Sequence, residues 1–107
     1  MLDMAQLRNI TMEDQDLMRE IVGALVDDAA RQIEALREAV ERGSAPDCAR
    51  LAHSARGACG NVGAASMAAI FTDVEYQAKN GDLSRCELQL HSLAVELDKL
   101  RTQAETI

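Results

Sequence analysis

Aromatic side chains are nearly missing from this chain: among 107 residues there is one Phe (Phe71), one Tyr (Tyr76) and no Trp. A β-sheet core draws on aromatic and β-branched residues, so this scarcity argues against a sheet. With 48% hydrophobic residues, the core must be built from Leu, Ile, Val, Ala and Met, which suits close-packed helices. There is one proline, Pro46, and no low-complexity tract or internal repeat. No apolar run nears the 18 or so residues of a membrane span. The opening Met1-Leu2-Asp3 has neither a basic nor an apolar region of the secretory kind, and a cytoplasmic location is expected. Basic residues are in the minority, 11 Lys and Arg against 18 Asp and Glu, for a net charge of −7. Such a surface repels phosphate backbones and anionic membranes, which argues against nucleic acid as a partner. The three cysteines, Cys48, Cys59 and Cys86, form an odd, scattered set with no Cys-x-x-Cys. They read as small core residues in a reducing compartment. No Walker-type phosphate loop and no kinase nucleotide lobe is present, so the chain is not expected to phosphorylate itself from ATP.

What is there is periodic. A short helix is expected over Asp3–Ile10, with Met4, Leu7 and Ile10 on one side. Thr11-Met12-Glu13-Asp14 resembles a weak capping box. A long helix follows over about Glu13–Arg42, carrying the stripe Met18, Val22, Leu25, Ala29, Ile33, Leu36 and Val40. Gly23 loosens it, Asp27-Asp28 reads as a solvated face, and Gly43 is a C′ residue. Ser44 caps the next helix, with Pro46 in its first turn and Asp47 at N3; it fades at Gly60-Asn61. A further helix spans about Ala64–Lys79 with the stripe Ala64, Met67, Phe71, Val74 and Ala78, and Glu75 lies beside that stripe. The last opens at Asp82 or Ser84 and carries the seam Cys86, Leu90, Leu93, Leu97 and Leu100. Four long helices on short connections predict an all-α fold: an antiparallel up-down four-helix bundle with a short extra N-terminal helix, as one domain over 1–107.

The chain is organised around Leu51–Ala64, LAHSARGACGNVGA, which holds one of only two histidines. At about 100° per residue, Ala49, Arg56, Gly57 and Gly60 fall within roughly 60° of His53. Leu51, Ala55, Ala58 and Val62 cluster about 180° away, with Cys48 and Cys59 at the edge of that face. His53 therefore faces away from the core, beside a cation and under little side-chain cover. Glycine within a helix costs about 1 kcal/mol against alanine. Two of them near the histidine make sense if something large and anionic approaches it closely.

His53-Ser-Ala-Arg56-Gly57 followed by Asn61-Val62-Gly63-Ala64 resembles the signature of the histidine phosphotransfer (HPt) domain family, Ala-His-x-Leu-Lys-Gly, a short spacer, then Gly-Ala. Ala52, His53, Gly57, Gly63 and Ala64 match in identity and spacing. Ala55 stands where leucine is usual, and Arg56 where lysine is usual. Arginine is a rigid fork rather than a mobile point charge, and Ala55 leaves volume for Met67 or Phe71 to fill. The resemblance extends over nearly the whole chain through the order of its helices.

The resemblance implies a phosphorelay carrier. His53 would be the phosphoacceptor through Nε2, with Arg56 stabilising the phosphoryl group and Gly57 and Gly60 clearing the approach of a partner. It also implies that Glu75, at the position of a family Gln or Glu, holds the other imidazole nitrogen. The expected partners are response-regulator receiver domains, with sensor or hybrid histidine kinases as a second class. No cofactor of its own is implied; Mg²⁺ would come with the receiver. A free-standing monomer is the simplest expectation. Two other readings stay open: a bundle of this type that docks a receiver or kinase without carrying phosphate, and a small metal-binding bundle using His53, His91 and cysteines. His91 lies off the core seam and carries no assigned role.

Overall fold

In the computed structural model, which describes residues 2–61 and 64–107, five helices follow one another: α1 (Met4–Thr11), α2 (Gln15–Glu41), α3 (Ala45–Asn61), α4 (Ala65–Lys79) and α5 (Leu83–Glu105). No strand occurs among the described residues. Val62, Gly63 and the side chain of Asn61, which carry part of the sequence signature, lie outside what is described.

Short polar side chains start the helices. Asp3, Asp14 and Asp82 accept the backbone N–H of Gln6, Leu17 and Arg85, and Ser44 Oγ accepts that of Asp47 at 3.4 Å. Each satisfies one of the N–H groups a helix leaves unpaired. α4 begins at Ala64 without a side-chain cap. Two helices end on a left-handed glycine, Gly43 (φ 71°) and Gly81 (φ 75°). After each, the N–H of the next residue reaches back to the carbonyl of Ala39 or Gln77, closing a Schellman motif. α1 ends the same way, with Met12 at φ 54° in the glycine's place.

α3 packs between α2 and α4, and α5 between α4 and α2, while α1 lies on α2. The Leu2 N–H donates to Gln103 Oε1 (3.0 Å) and Arg19 Nε to the Ile107 carbonyl (2.8 Å). These bonds tie the end of α5 to the start of the chain and to the first turns of α2. The stripes expected on α4 and α5 are both buried, with Phe71 the only aromatic in the core.

Four local expectations are corrected. On α1, Ile10 is exposed and Met4 half-buried, while Leu7 and Thr11 are buried one helical turn apart. Thr11 does not cap α2: it closes α1, and its hydroxyl donates to the Leu7 carbonyl at 2.7 Å, so Asp14 takes the cap. On α2, Ala39 is fully buried and Val40 is not, because the spacing from Leu36 closes on three rather than four.

The fourth correction bears on the site. α3 buries Cys48, Ala52, Ala55 and Cys59, whereas Leu51 is half-buried and Ala58 exposed. The buried face is turned by about 60° from the one read off the sequence. It consists only of small residues, which lets α3 lie close against α4. Ala55 is part of that face, and Met67 and Phe71 are fully buried on the helix packed against it.

Candidate functional site

The rotation of α3 moves His53 from the far side of the helix to the edge of the α3–α4 seam. Its side chain stays 63% exposed. The opposite edge of α3 carries Ala58, which lines a shallow groove with Ile21, Ala24, Leu25, Asp28 and Arg31 of α2.

Across the seam α4 presents Glu75, one residue past the buried Val74. Its side chain is mostly covered, 11% exposed, and the carboxylate is engaged on several sides. His53 Nδ1 lies 3.1 Å from Oε2 and 3.3 Å from Oε1. Lys79, one turn further along α4, donates to Oε2 at 2.9 Å. Arg56 Nη1 stands 3.6 Å from Oε1, and its Nη2 3.1 Å from His53 Nδ1. The hydrogen bond from Lys79 is the largest influence on Glu75 and holds its carboxyl below the ordinary glutamate range. Burial opposes the shift, and the charges of Lys79, His53 and Arg56 reinforce it.

This charge state decides the tautomer. An ionised carboxylate only accepts hydrogen bonds, so the nitrogen facing it must carry the proton. Nδ1–H therefore donates to Glu75. Arg56 is likewise a donor only, so its approach to Nδ1 is a close contact within the cluster. Nε2 has no partner among the described residues.

The structure thus brings His53, Arg56 and Glu75 together. Gly57 and Gly60 are exposed on α3, and a Cβ built on either meets nothing within 4 Å. Packing within the chain does not require glycine at these positions. Lys79 was not singled out from the sequence, although a Glu followed four residues later by Lys on a helix was a usable signal.

The cysteines are buried, and burial pushes the Cys59 and Cys86 thiols up to about 11 and raises that of Cys48. They are neutral core groups. Among the described residues no three His, Cys, Asp or Glu side chains gather where a metal could be held. His91 is exposed on α5, in a groove with Arg37, Glu41 and Glu87. No helix of the described chain is long and apolar enough to cross a membrane.

The Hpt domain model matches residues 20–103, a span that contains α3, α4 and the whole cluster around His53. The chain belongs to the Hpt domain family. Among solved structures, the Hpt fold here is similar to histidine-containing phosphotransfer protein B (HptB) from Pseudomonas aeruginosa PAO1. The TM-score is 0.90 over 98% of this chain and 91% of that one, at 24% sequence identity. At that identity the likeness speaks for the fold. No curated protein matches this Hpt chain in sequence.

Proposed function

We propose that this Hpt domain is a phosphorelay carrier in which His53 accepts a phosphoryl group at Nε2 from a receiver-domain aspartate and passes it on. The observation that carries the reading is the division of labour on the imidazole. Nδ1 faces the Glu75 carboxylate at 3.1 Å, and Nε2 of the exposed ring has no partner among the described residues.

The chemistry follows from that division. The Nε2 lone pair forms the N–P bond as the P–O bond to the partner's aspartyl oxygen breaks, and the bonding electrons leave with the carboxylate. No proton has to leave the nucleophile. The ring becomes cationic with its Nδ1 proton in place, and the Glu75 carboxylate stabilises that charge. The transition state of phosphoryl transfer is loose and charge-dispersed, so positioning and electrostatics dominate. Arg56, 41% exposed and now on the Nδ1 side of the ring, has the freedom to turn toward phosphoryl oxygens on Nε2. Gly57 and Gly60 leave the exposed face of α3 open to a second protein. Mg²⁺ belongs to the receiver's acidic pocket in this reading, and the chain needs no cofactor of its own. It makes no phosphohistidine from ATP.

The neighbour relations and short connections support an antiparallel up-down bundle of α2–α5 with α1 laid on one end. We further read the chain as one cytoplasmic, monomeric domain. Receiver domains are its first class of partner and sensor or hybrid histidine kinases its second.

The test is to mix the purified protein with phosphorylated receiver domains and Mg²⁺. Label that moves to this chain, is acid-labile and base-stable, and vanishes in His53→Gln supports the carrier. A folded protein that takes no label from any receiver or kinase overturns it and leaves the docking module.

A further inference from the structure

Lys79 belongs to the cluster around His53, yet no step of the phosphoacceptor chemistry uses it directly. It sits at the last turn of α4, 66% exposed, with its Nζ 2.9 Å from the same Oε2 that faces His53 Nδ1 at 3.1 Å. An exposed pair of this spacing contributes little to stability. Here, however, one partner is not exposed: the Glu75 side chain is 11% accessible, and its carboxylate is matched by cations and a hydrogen bond that keep it ionised.

Of the cations matched to it, Arg56 is the one that phosphoryl transfer would call away. Once the guanidinium turns toward a phosphoryl group, Lys79 is the counter-charge that remains. Without it, the full negative charge of Glu75 would act on the imidazole beside it. That charge favours the imidazolium, whose Nε2 carries a proton and has no lone pair to offer. The charged groups around the ring are Glu75 and Lys79 from α4 and Arg56 from α3. One turn before His53, Arg50 of α3 is paired with Asp47 at 3.5 Å. On α2, Asp28 and Arg31 line the groove at the opposite edge of α3. The α5 side of α4 is met by Asp73, which accepts from Gln89 at 2.6 Å.

We propose that Lys79 is a positioning residue of the phosphoacceptor site: it anchors the Glu75 carboxylate against His53 Nδ1, offsets its charge, and so sets the pH range in which His53 is the neutral nucleophile. This rests on His53 being the phosphoacceptor. The residue acts through Glu75 and touches neither the phosphoryl group nor Nε2.

The experiment follows the His53 imidazole by heteronuclear NMR through a pH titration in the wild type, Lys79→Met and Lys79→Arg, alongside the pH profile of phosphoryl uptake. Removing one positive charge roughly 6 Å from the ring in a water-like medium should raise the titration midpoint by about half a pH unit. The acid limb of the uptake profile should move up with it. Lys79→Arg should restore the wild-type midpoint, and His91, exposed on α5, should titrate identically in all three proteins. A Lys79→Met midpoint equal to or below the wild type overturns the proposal. So does a Lys79→Arg midpoint displaced as far as that of Lys79→Met. If the wild type takes up no phosphoryl group at any pH, the phosphoacceptor reading fails, while the titration still decides what Lys79 does to the ring.

Discussion

Gly57 and Gly43 should answer the same substitution with opposite signs. Gly57 lies inside α3, exposed, and a Cβ built on it meets nothing within 4 Å. Gly57→Ala therefore gains the helix propensity difference, about 1 kcal/mol, with no steric penalty. For a domain of this size that raises the melting temperature by about 4–8 °C. In urea, with a slope near 2 kcal/mol/M, it moves the midpoint up by roughly 0.5 M. Gly43 also has open space around it, but its φ is +71°. An L-residue there pays about 1–2 kcal/mol, so Gly43→Ala should lower the midpoint by a comparable amount. Circular dichroism at 222 nm against urea measures both. The pair separates a glycine kept for folding from one kept for something else. A longer side chain completes the argument: Gly57→Gln should fold normally and slow phosphoryl transfer by crowding the approach to His53. If Gly57→Ala destabilises the protein, glycine there is structural after all. If Gly57→Gln transfers at the wild-type rate, the access role is gone.

Other substitutions probe the remaining parts of the account. His53→Gln should lose all phosphoryl uptake with its helical circular dichroism unchanged, since the side chain is largely exposed; a loss of helicity would make His53 structural. Phe71→Ala, at the fully buried and only aromatic residue of the core, should cost about 3–5 kcal/mol, read from the urea midpoint. Glu75→Gln should cost stability at neutral pH, and the difference from wild type should shrink on acidification. Glu75 is held below its ordinary value, 4.5, in the folded state. Its contribution is therefore present above the unfolded value and is lost as pH falls through the folded one. A difference independent of pH between neutrality and pH 3 would contradict the charged role of Glu75.

Much of this was legible in the residues, for identifiable reasons. The stripes of α4 and α5 could be read because Met67, Phe71, Val74 and the leucines of α5 are large and keep strict three-four spacing. Hydropathy spacing places the buried face of α3 about 60° from where it lies, because that face is Cys48, Ala52, Ala55 and Cys59. Small residues carry little hydropathy signal, and Leu51 and Val62 outweighed them on paper. Close helix approach, which makes small residues core residues, is a tertiary fact. The same holds for Thr11, whose hydroxyl bonds back within α1 and so removes it from the capping position of α2. At the site, His53, Arg56 and Gly57 share a helix, and their adjacency follows from spacing alone. The contact between His53 and Glu75 spans two helices, and only the family resemblance pointed to it before the structure. Lys79 escaped notice because an exposed lysine is ordinary until the carboxylate it binds is seen to be covered.

In the proposed carrier, Glu75 takes Nδ1 and leaves Nε2 to receive the phosphoryl group. The most direct measurement is nitrogen-15 NMR of the histidines, recorded after the protein has been phosphorylated by a receiver domain in the presence of Mg²⁺. The spectra should show a single phosphohistidine, His53, substituted at Nε2 and still protonated at Nδ1. Phosphate on Nδ1, phosphate on His91, or no phosphohistidine from any phosphorylated receiver would contradict it.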